Sequence, residues 1–233
     1  MDAALGDLFD LDTVLVPVDR ASHVSVSLGA AAPLSLEQNE GGVAETGGLV
    51  WSAGVELAQW LAAHQAALDA AAFAAIVDLG CGSGVGALAA ATLLPRVPRV
   101  LFCDFDATAL ALAERNALRN GVASARCEFV RRSMLECDRV RLGLDDEARV
   151  LVLASDVCYD NASEQALDAA LAALLAGPAR GVLALQQRGD LLTRFAAALP
   201  ARAADWHCTL DVSERLVVGG ARVALFDLCR GID

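Results

Sequence analysis

Gly80, Gly82 and Gly84 alternate through Asp78-Leu79-Gly80-Cys81-Gly82-Ser83-Gly84, between an apolar run and an alanine-rich segment. That order predicts a strand, a tight turn and a helix. Glycine lets backbone approach a ligand closely, and it accepts the positive φ of a sharp strand-to-helix turn. The helix that follows offers unpaired N–H groups at the same place. Such a loop can hold a nucleoside cofactor. A Walker A loop is excluded, because it needs lysine and this chain has none; a Gly-x-Ser-x-Gly elbow is excluded because Cys81 stands where glycine is required. The dinucleotide form Gly-x-Gly-x-x-Ala can be laid on Gly82, Gly84 and Ala87, but it leaves Asp78 and Gly80 without a role.

Two later acids extend the pattern. Asp104 ends the apolar run Arg99-Val100-Leu101-Phe102-Cys103, placed at a strand's carboxyl end to accept from both hydroxyls of a ribose. Asp106 is placed as the N-cap of a helix over residues 107–120. A further buried strand over 148–155 emits Asp156-Val157-Cys158-Tyr159, in which an acid stands three residues before the chain's one tyrosine. Ligands of open α/β sheets bind at such carboxyl ends.

Composition narrows the partner. Thirty acids against 18 basic residues give a net charge of −12, which disfavours a polyanionic substrate such as RNA or DNA. Arg126, Arg131, Arg132, Arg139 and Arg141 alternate with Glu128, Glu136 and Asp138, so a solvated mixed face is expected there. A basic protein segment suits the surface better. Seven cysteines without a Cys-x-x-Cys pair read as buried free thiols, and His23, His64 and His207 make no metal-ligand spacing, so no metal is expected. Hydrophobic residues make up 56% of the chain, yet no uncharged apolar run reaches the ~18 residues of a membrane helix. The acidic start lacks the basic region of a secretory signal. A soluble, monomeric, intracellular protein is expected, cytoplasmic with the nucleus also open to it.

Strand and helix patterns alternate, which predicts an α/β fold: a Rossmann-like, seven-stranded, mostly parallel sheet with helices on both faces. Two domains of unequal weight are expected, an N-terminal β extension over 1–45 and the main domain over 46–233. Within the extension, runs at 13–18 and 24–28 suggest a hairpin, and residues 30–48 read as loop. A helix is expected over 54–71, another to about residue 94 before Pro95, and one from Asp190 as N-cap to Leu199. Residues 206–212 and 222–229 suit an antiparallel edge hairpin.

Asp-Leu-Gly-x-Gly-x-Gly followed by a strand ending Asp104-Phe105-Asp106 resembles the class I, S-adenosylmethionine-dependent methyltransferases. Asp156-Val157-Cys158-Tyr159 is similar to the Asp-x-x-Tyr motif of the seven-strand protein lysine methyltransferases called family sixteen. The segment Gly47-Gly48-Leu49-Val50-Trp51 is similar to that family's Gly-x-x-Val-Trp. This resemblance implies S-adenosylmethionine as cofactor, bound by Trp51, Gly80, Gly82, Gly84, Asp104, Phe105, Leu135 and Ala154, with Asp156 and Tyr159 catalytic. It implies methyl transfer to a lysine of a protein, commonly a chaperone or translation factor. Ser133-Met134-Leu135 stands where the family carries Leu-Asp-Trp, a departure at the adenine. Asp78 is open between supporting the glycine turn and meeting the methionine amino group. A small-molecule acceptor, another protein nitrogen, and a silent interaction protein are the competing readings.

Overall fold

A computed structural model of the protein describes residues 22–38, 47–187, 189–216 and 222–231. β1 (His23–Leu28) and β2 (Ala31–Glu37) form an antiparallel hairpin. Val24, Val26 and Leu28 alternate with exposed residues and turn inward with Leu34 and Leu36. The expected loop over 30–48 is therefore corrected at Ala31–Glu37: Pro33 and Ser35 blur its period, but Leu34 and Leu36 have a core to face. The run at 13–18 lies outside the described residues.

α1 (Ser52–Ala63) and α2 (Gln65–Ala70) replace the single helix expected over 54–71. The break is at His64, whose Nδ1 stands 2.8 Å from the Trp60 carbonyl and whose φ and ψ, −106° and 11°, leave the helical region. The half-buried ring stacks on buried Trp60 at 3.9 Å, so an aromatic contact accompanies the break.

Then come β3 (Ala75–Leu79), α3 (Val85–Leu93), β4 (Arg99–Asp104), α4 (Ala107–Arg119), β5 (Cys127–Arg131), β6 (Val150–Ser155), α5 (Asn161–Leu174), β7 (Ala179–Gln186), α6 (Leu191–Asp205), β8 (Thr209–Leu216) and β9 (Arg222–Arg230). The seven-stranded sheet has the order β5-β4-β3-β6-β7-β9-β8. β3 to β7 run parallel, and β9 and β8 close the edge antiparallel. The hairpin, α1, α3 and α4 cover one face, and α5 and α6 cover the other. The expected architecture holds. Every residue of β3 is buried, as a central parallel strand requires. Strand order reverses between β3 and β6, and a crevice opens at such a switch point.

Three local expectations are corrected. Asp190 stands at the start of α6 but caps no amide; its carboxylate meets Arg194 instead, at 3.0 Å. α6 continues through Pro200, because Leu192, Phe195, Ala196, Leu199 and Ala203 form one buried stripe that spans it. Burial on that stripe outweighs the ~3 kcal/mol that an interior proline costs. Nor do all the arginines form a solvated face. Arg126 donates to the carbonyls of Ala91, Leu94 and Val97, capping α3, and buried Arg139 donates to those of Leu174, Asp145, Asp146 and Ala148.

All seven cysteines are free; Cys81, Cys103, Cys137 and Cys158 are buried, while Cys127, Cys208 and Cys229 are only half-buried. No helix among the described residues is long and apolar enough to cross a membrane.

Candidate active site

The glycine turn leaves β3 with φ of 63°, 52° and 87° at Gly80, Gly82 and Gly84, and Gly84 is the N-cap of α3. Asp78 holds this turn from beneath. Its Oδ2 accepts from the Ala87 amide at 2.8 Å, and a Cβ on Gly86 would come within 3.0 Å of the same oxygen. The choice left open for Asp78 thus falls to support of the turn. Its Oδ1 has no hydrogen-bond partner, and burial first, then the Asp104 charge, pushes its pKa up to about 7. Between the ordinary 3.8 and that value the native state holds a proton that the unfolded chain has released. Stability contributed by this group is therefore full below about pH 4 and declines as pH rises through 7, by roughly 4 kcal/mol. Denaturant unfolding across pH 4–8 should show the Asp78→Asn variant lacking this decline; identical slopes in variant and wild type would refute it.

Asp104 lies at the end of β4, where its Oδ2 accepts from Gly82 N and its Oδ1 from Asp106 N, each at 3.0 Å. Each oxygen keeps a lone pair for a further donor. Burial raises its pKa, and the amides of Asp106 and Gly82 work against that rise. Asp106 accepts from Thr108 N at 2.7 Å, the cap that its position predicted.

Three large side chains are left uncovered by folding: Phe105 is 66% exposed, Leu135 62% and Tyr159 53%. They follow β4, β5 and β6, so all three sit along the carboxyl edge of the sheet. Met134, by contrast, is half-buried and packs against the core, which leaves Leu135 as the outward apolar residue of its short 3-10 turn. Ser133 and Glu136 cap that turn reciprocally.

Asp156 follows β6 with φ 56°, a left-handed conformation that aspartate tolerates better than most residues. Its N–H still donates to Ala184 O at 2.9 Å, so sheet pairing runs through a residue whose chain direction is turning away. Asp160 caps α5 in a reciprocal box with Ser163, and the Ser163 hydroxyl accepts from Tyr159 N at 3.0 Å. The backbone of Tyr159 is thus fixed while its ring remains exposed. Burial of the phenol, then Asp160 and Asp104, raises its pKa.

Trp51, half-buried, precedes α1, whose Gly54 packs against Val85 and the Ser155 hydroxyl. That contact sets the start of α1 over the β3–β6 crevice. Ala154 is different: it is fully buried, paired with Leu79 and Leu183, and Ser155 is the first partly open residue of β6. The structure brings the other expected residues to one edge of the sheet, where Ala154 lies one residue inside and offers a ligand its backbone alone.

Gln186 belongs to this region and was not foreseen as such; Gly47, read from sequence only as part of the Gly-x-x-Val-Trp segment, touches the glycine turn itself. A Cβ on Gly82 would fall 2.9 Å from Gly47 O, so residues 47–50 lie directly on the glycine turn. Gln186 ends β7, buried, with neither amide atom partnered. Its only sequence signal is a polar residue at the end of an apolar run. A cavity of about 540 Å³ lies instead at the amino ends of β6 and β7, lined by Arg139, Asp146, Glu147 and Arg230 among others. It is on the opposite edge from the glycines.

These residues fit an adenosyl cofactor. The turn has no Cβ to spare, Asp104 offers two partly used oxygens to a ribose, and Phe105 and Leu135 offer exposed apolar surface to a purine.

The methyltransferase domain of bacterial CtHen1 superposes with a TM-score of 0.56 at 13% identity, over 75% of this chain and 97% of that one. Magnesium protoporphyrin IX methyltransferase from Synechocystis PCC 6803, solved with bound SAM, gives 0.54 at 12% identity, over 75% and 79%. TYW2 from M. jannaschii, in complex with AdoMet, gives 0.50 at 16% identity, over 91% and 88%. Likeness at these identities shows the fold. No curated protein matches the sequence. A family described as lysine methyltransferase matches residues 30–201, about three quarters of the chain. With the glycine turn, Asp104 and the Asp156–Tyr159 segment assembled at one edge of the sheet, the chain belongs to the lysine methyltransferase family of S-adenosylmethionine-dependent methyltransferases.

Proposed function

We propose that the protein transfers a methyl group from S-adenosylmethionine to the ε-amine of a lysine in a protein substrate. The observation that carries this reading is the placement of Asp156 and Tyr159 at the carboxyl end of β6, beside the glycine turn, in a chain of the lysine methyltransferase family. When bound, the cofactor supplies an electrophilic methyl on a charged sulfur, with a good leaving group. The protein then needs only to bind, align and exclude water. The turn and Asp104 hold the nucleoside, with Phe105 and Leu135 flanking its base.

An incoming lysine carries a proton that must leave before its nitrogen can attack. A carboxylate close by would favour the charged form, whereas desolvation favours the neutral amine. Asp156 therefore serves best as a hydrogen-bond acceptor that orients the neutral amine's N–H groups. Tyr159 presents its ring face and hydroxyl to the same nitrogen, and the face attracts a cationic, partly methylated amine. The net charge of −12 favours a basic protein segment over nucleic acid, and a single copy acting in the cytoplasm completes the reading.

The test is incubation of the purified protein with isotopically labelled S-adenosylmethionine and a lysate of its own organism, followed by gel imaging and mass spectrometry. A discrete labelled band bearing methyl-lysine is expected. Because the chain has no lysine, such a band cannot be self-methylation at that residue. Cofactor binding without any labelled protein would overturn the proposal in favour of a small-molecule acceptor.

A further inference from the structure

Asn116 on α4 is fully buried, and its amide spends every atom on backbone groups of other elements. Oδ1 accepts from Glu37 N at 2.7 Å, while Nδ2 donates to Glu37 O at 3.1 Å and to Ser83 O at 2.9 Å. One side chain thus ties the end of the N-terminal hairpin to the glycine turn, 46 residues later in the chain. The residue just after the hairpin strand extends the tie: Gln38 Oε1 accepts from Val50 N at 2.6 Å. Val50 belongs to the segment whose Gly47 rests on Gly82. Residues 37 and 38 therefore anchor both walls of the place where the cofactor's sugar would enter.

A peptide carbonyl between two left-handed glycines has few conformations in which it can be satisfied. Ser83 is buried between Gly82 and Gly84, and Asn116 is what its carbonyl meets. Without that donor the turn is free to rotate its amides away from a ligand, including the Gly82 N–H that meets Asp104.

We infer that Asn116 is a positioning residue for the cofactor, holding the Ser83 carbonyl so that the glycine turn stays open to the nucleoside. This rests on the cofactor reading above, and it makes the hairpin part of the binding apparatus.

Asn120, one turn further along, provides the comparison. Its amide clasps the same hairpin through Ser35 N and Ser35 O, at 2.8 and 2.9 Å, but makes no bond to the glycine turn. Both variants, Asn116→Ala and Asn120→Ala, remove a clasp on the hairpin; the first also releases Ser83. Calorimetric titration with S-adenosylhomocysteine and with S-adenosylmethionine, alongside thermal unfolding of the unliganded proteins, separates the two effects. The expected result is about tenfold weaker binding for Asn116→Ala and less than a twofold change for Asn120→Ala, with lowered unfolding temperatures in both. Equal weakening in the two variants, or none in Asn116→Ala, would overturn the assignment. Should Asn116→Ala not fold, Asn116→Ser carries the same expectations, since its hydroxyl is too short to span Ser83 and Glu37. Wild-type protein that binds neither compound would sink the cofactor reading itself, and the inference with it.

Discussion

Replacing Asp156 by asparagine should lower kcat/KM for methyl transfer by about 10²-fold or more, while affinity for S-adenosylhomocysteine stays within about threefold. Asparagine accepts the left-handed backbone seen at φ 56°, so the turn after β6 and its bond to Ala184 O survive the change. What it removes is one carboxylate oxygen and the negative charge. The neutral amine then loses its preferred acceptor, and the residual amide offers the wrong polarity on one side. Alanine is the harsher variant, because a Cβ without a polar head costs about 1 kcal/mol in that backbone region, on top of the lost contact. Initial rates with labelled cofactor, paired with titration calorimetry, decide the matter. Asp156→Asn at wild-type speed would remove the carboxylate from the chemistry, and a parallel loss of cofactor affinity would relocate it to the nucleoside.

The second large effect is expected at Gly82. Gly82→Ala meets two separate obstacles: a φ of 52°, and a new Cβ 2.9 Å from the carbonyl oxygen of Gly47. A flexible side chain could yield to that contact, but a backbone carbonyl cannot move without shifting residues 47–50. The first obstacle costs about 1–2 kcal/mol, and displacement of a packed segment adds a comparable amount. Because that segment and Asp104 are both bonded or packed to Gly82, the loss should appear in binding, at 10²-fold or more, as well as in unfolding. Gly121→Ala isolates the backbone contribution. It has a φ of 68° and nothing within 4 Å, so it should destabilise by about 1 kcal/mol and leave cofactor affinity unchanged. Measured dissociation constants that are the same for Gly82→Ala and wild type would show that the turn tolerates a side chain.

What could be read from the chain alone was local or periodic. The glycine turn, the Asp106 cap and the fully buried β3 each announce themselves within about ten residues, since the physics that shapes them acts over that span. β2 did not, because its alternation is carried by two leucines and only a facing helix layer makes it a strand. The break at His64 and the passage of α6 through Pro200 are settled by packing that no single segment contains. The candidate site divides the same way. Asp104, Asp156 and Tyr159 were legible as residues placed at strand ends. Asn116 was not, since its partners stand 33 and 79 residues away and an asparagine inside a helix carries no mark of them. The unpartnered amide of Gln186 is equally silent in sequence, because only burial turns a polar residue into a question.

Cys81 sits inside the glycine turn, buried, with its thiol pushed well above the usual range by burial and by the charges of Asp78 and Asp104. Sulfur anions are better nucleophiles than amines toward an alkyl sulfonium, so a thiolate at this spot would compete with the substrate for each methyl group. Burial first, and then the acids under the turn, keep that sulfur protonated and out of solvent, which favours chemoselectivity at the site. The cysteine of the glycine turn is thereby withdrawn as a rival acceptor.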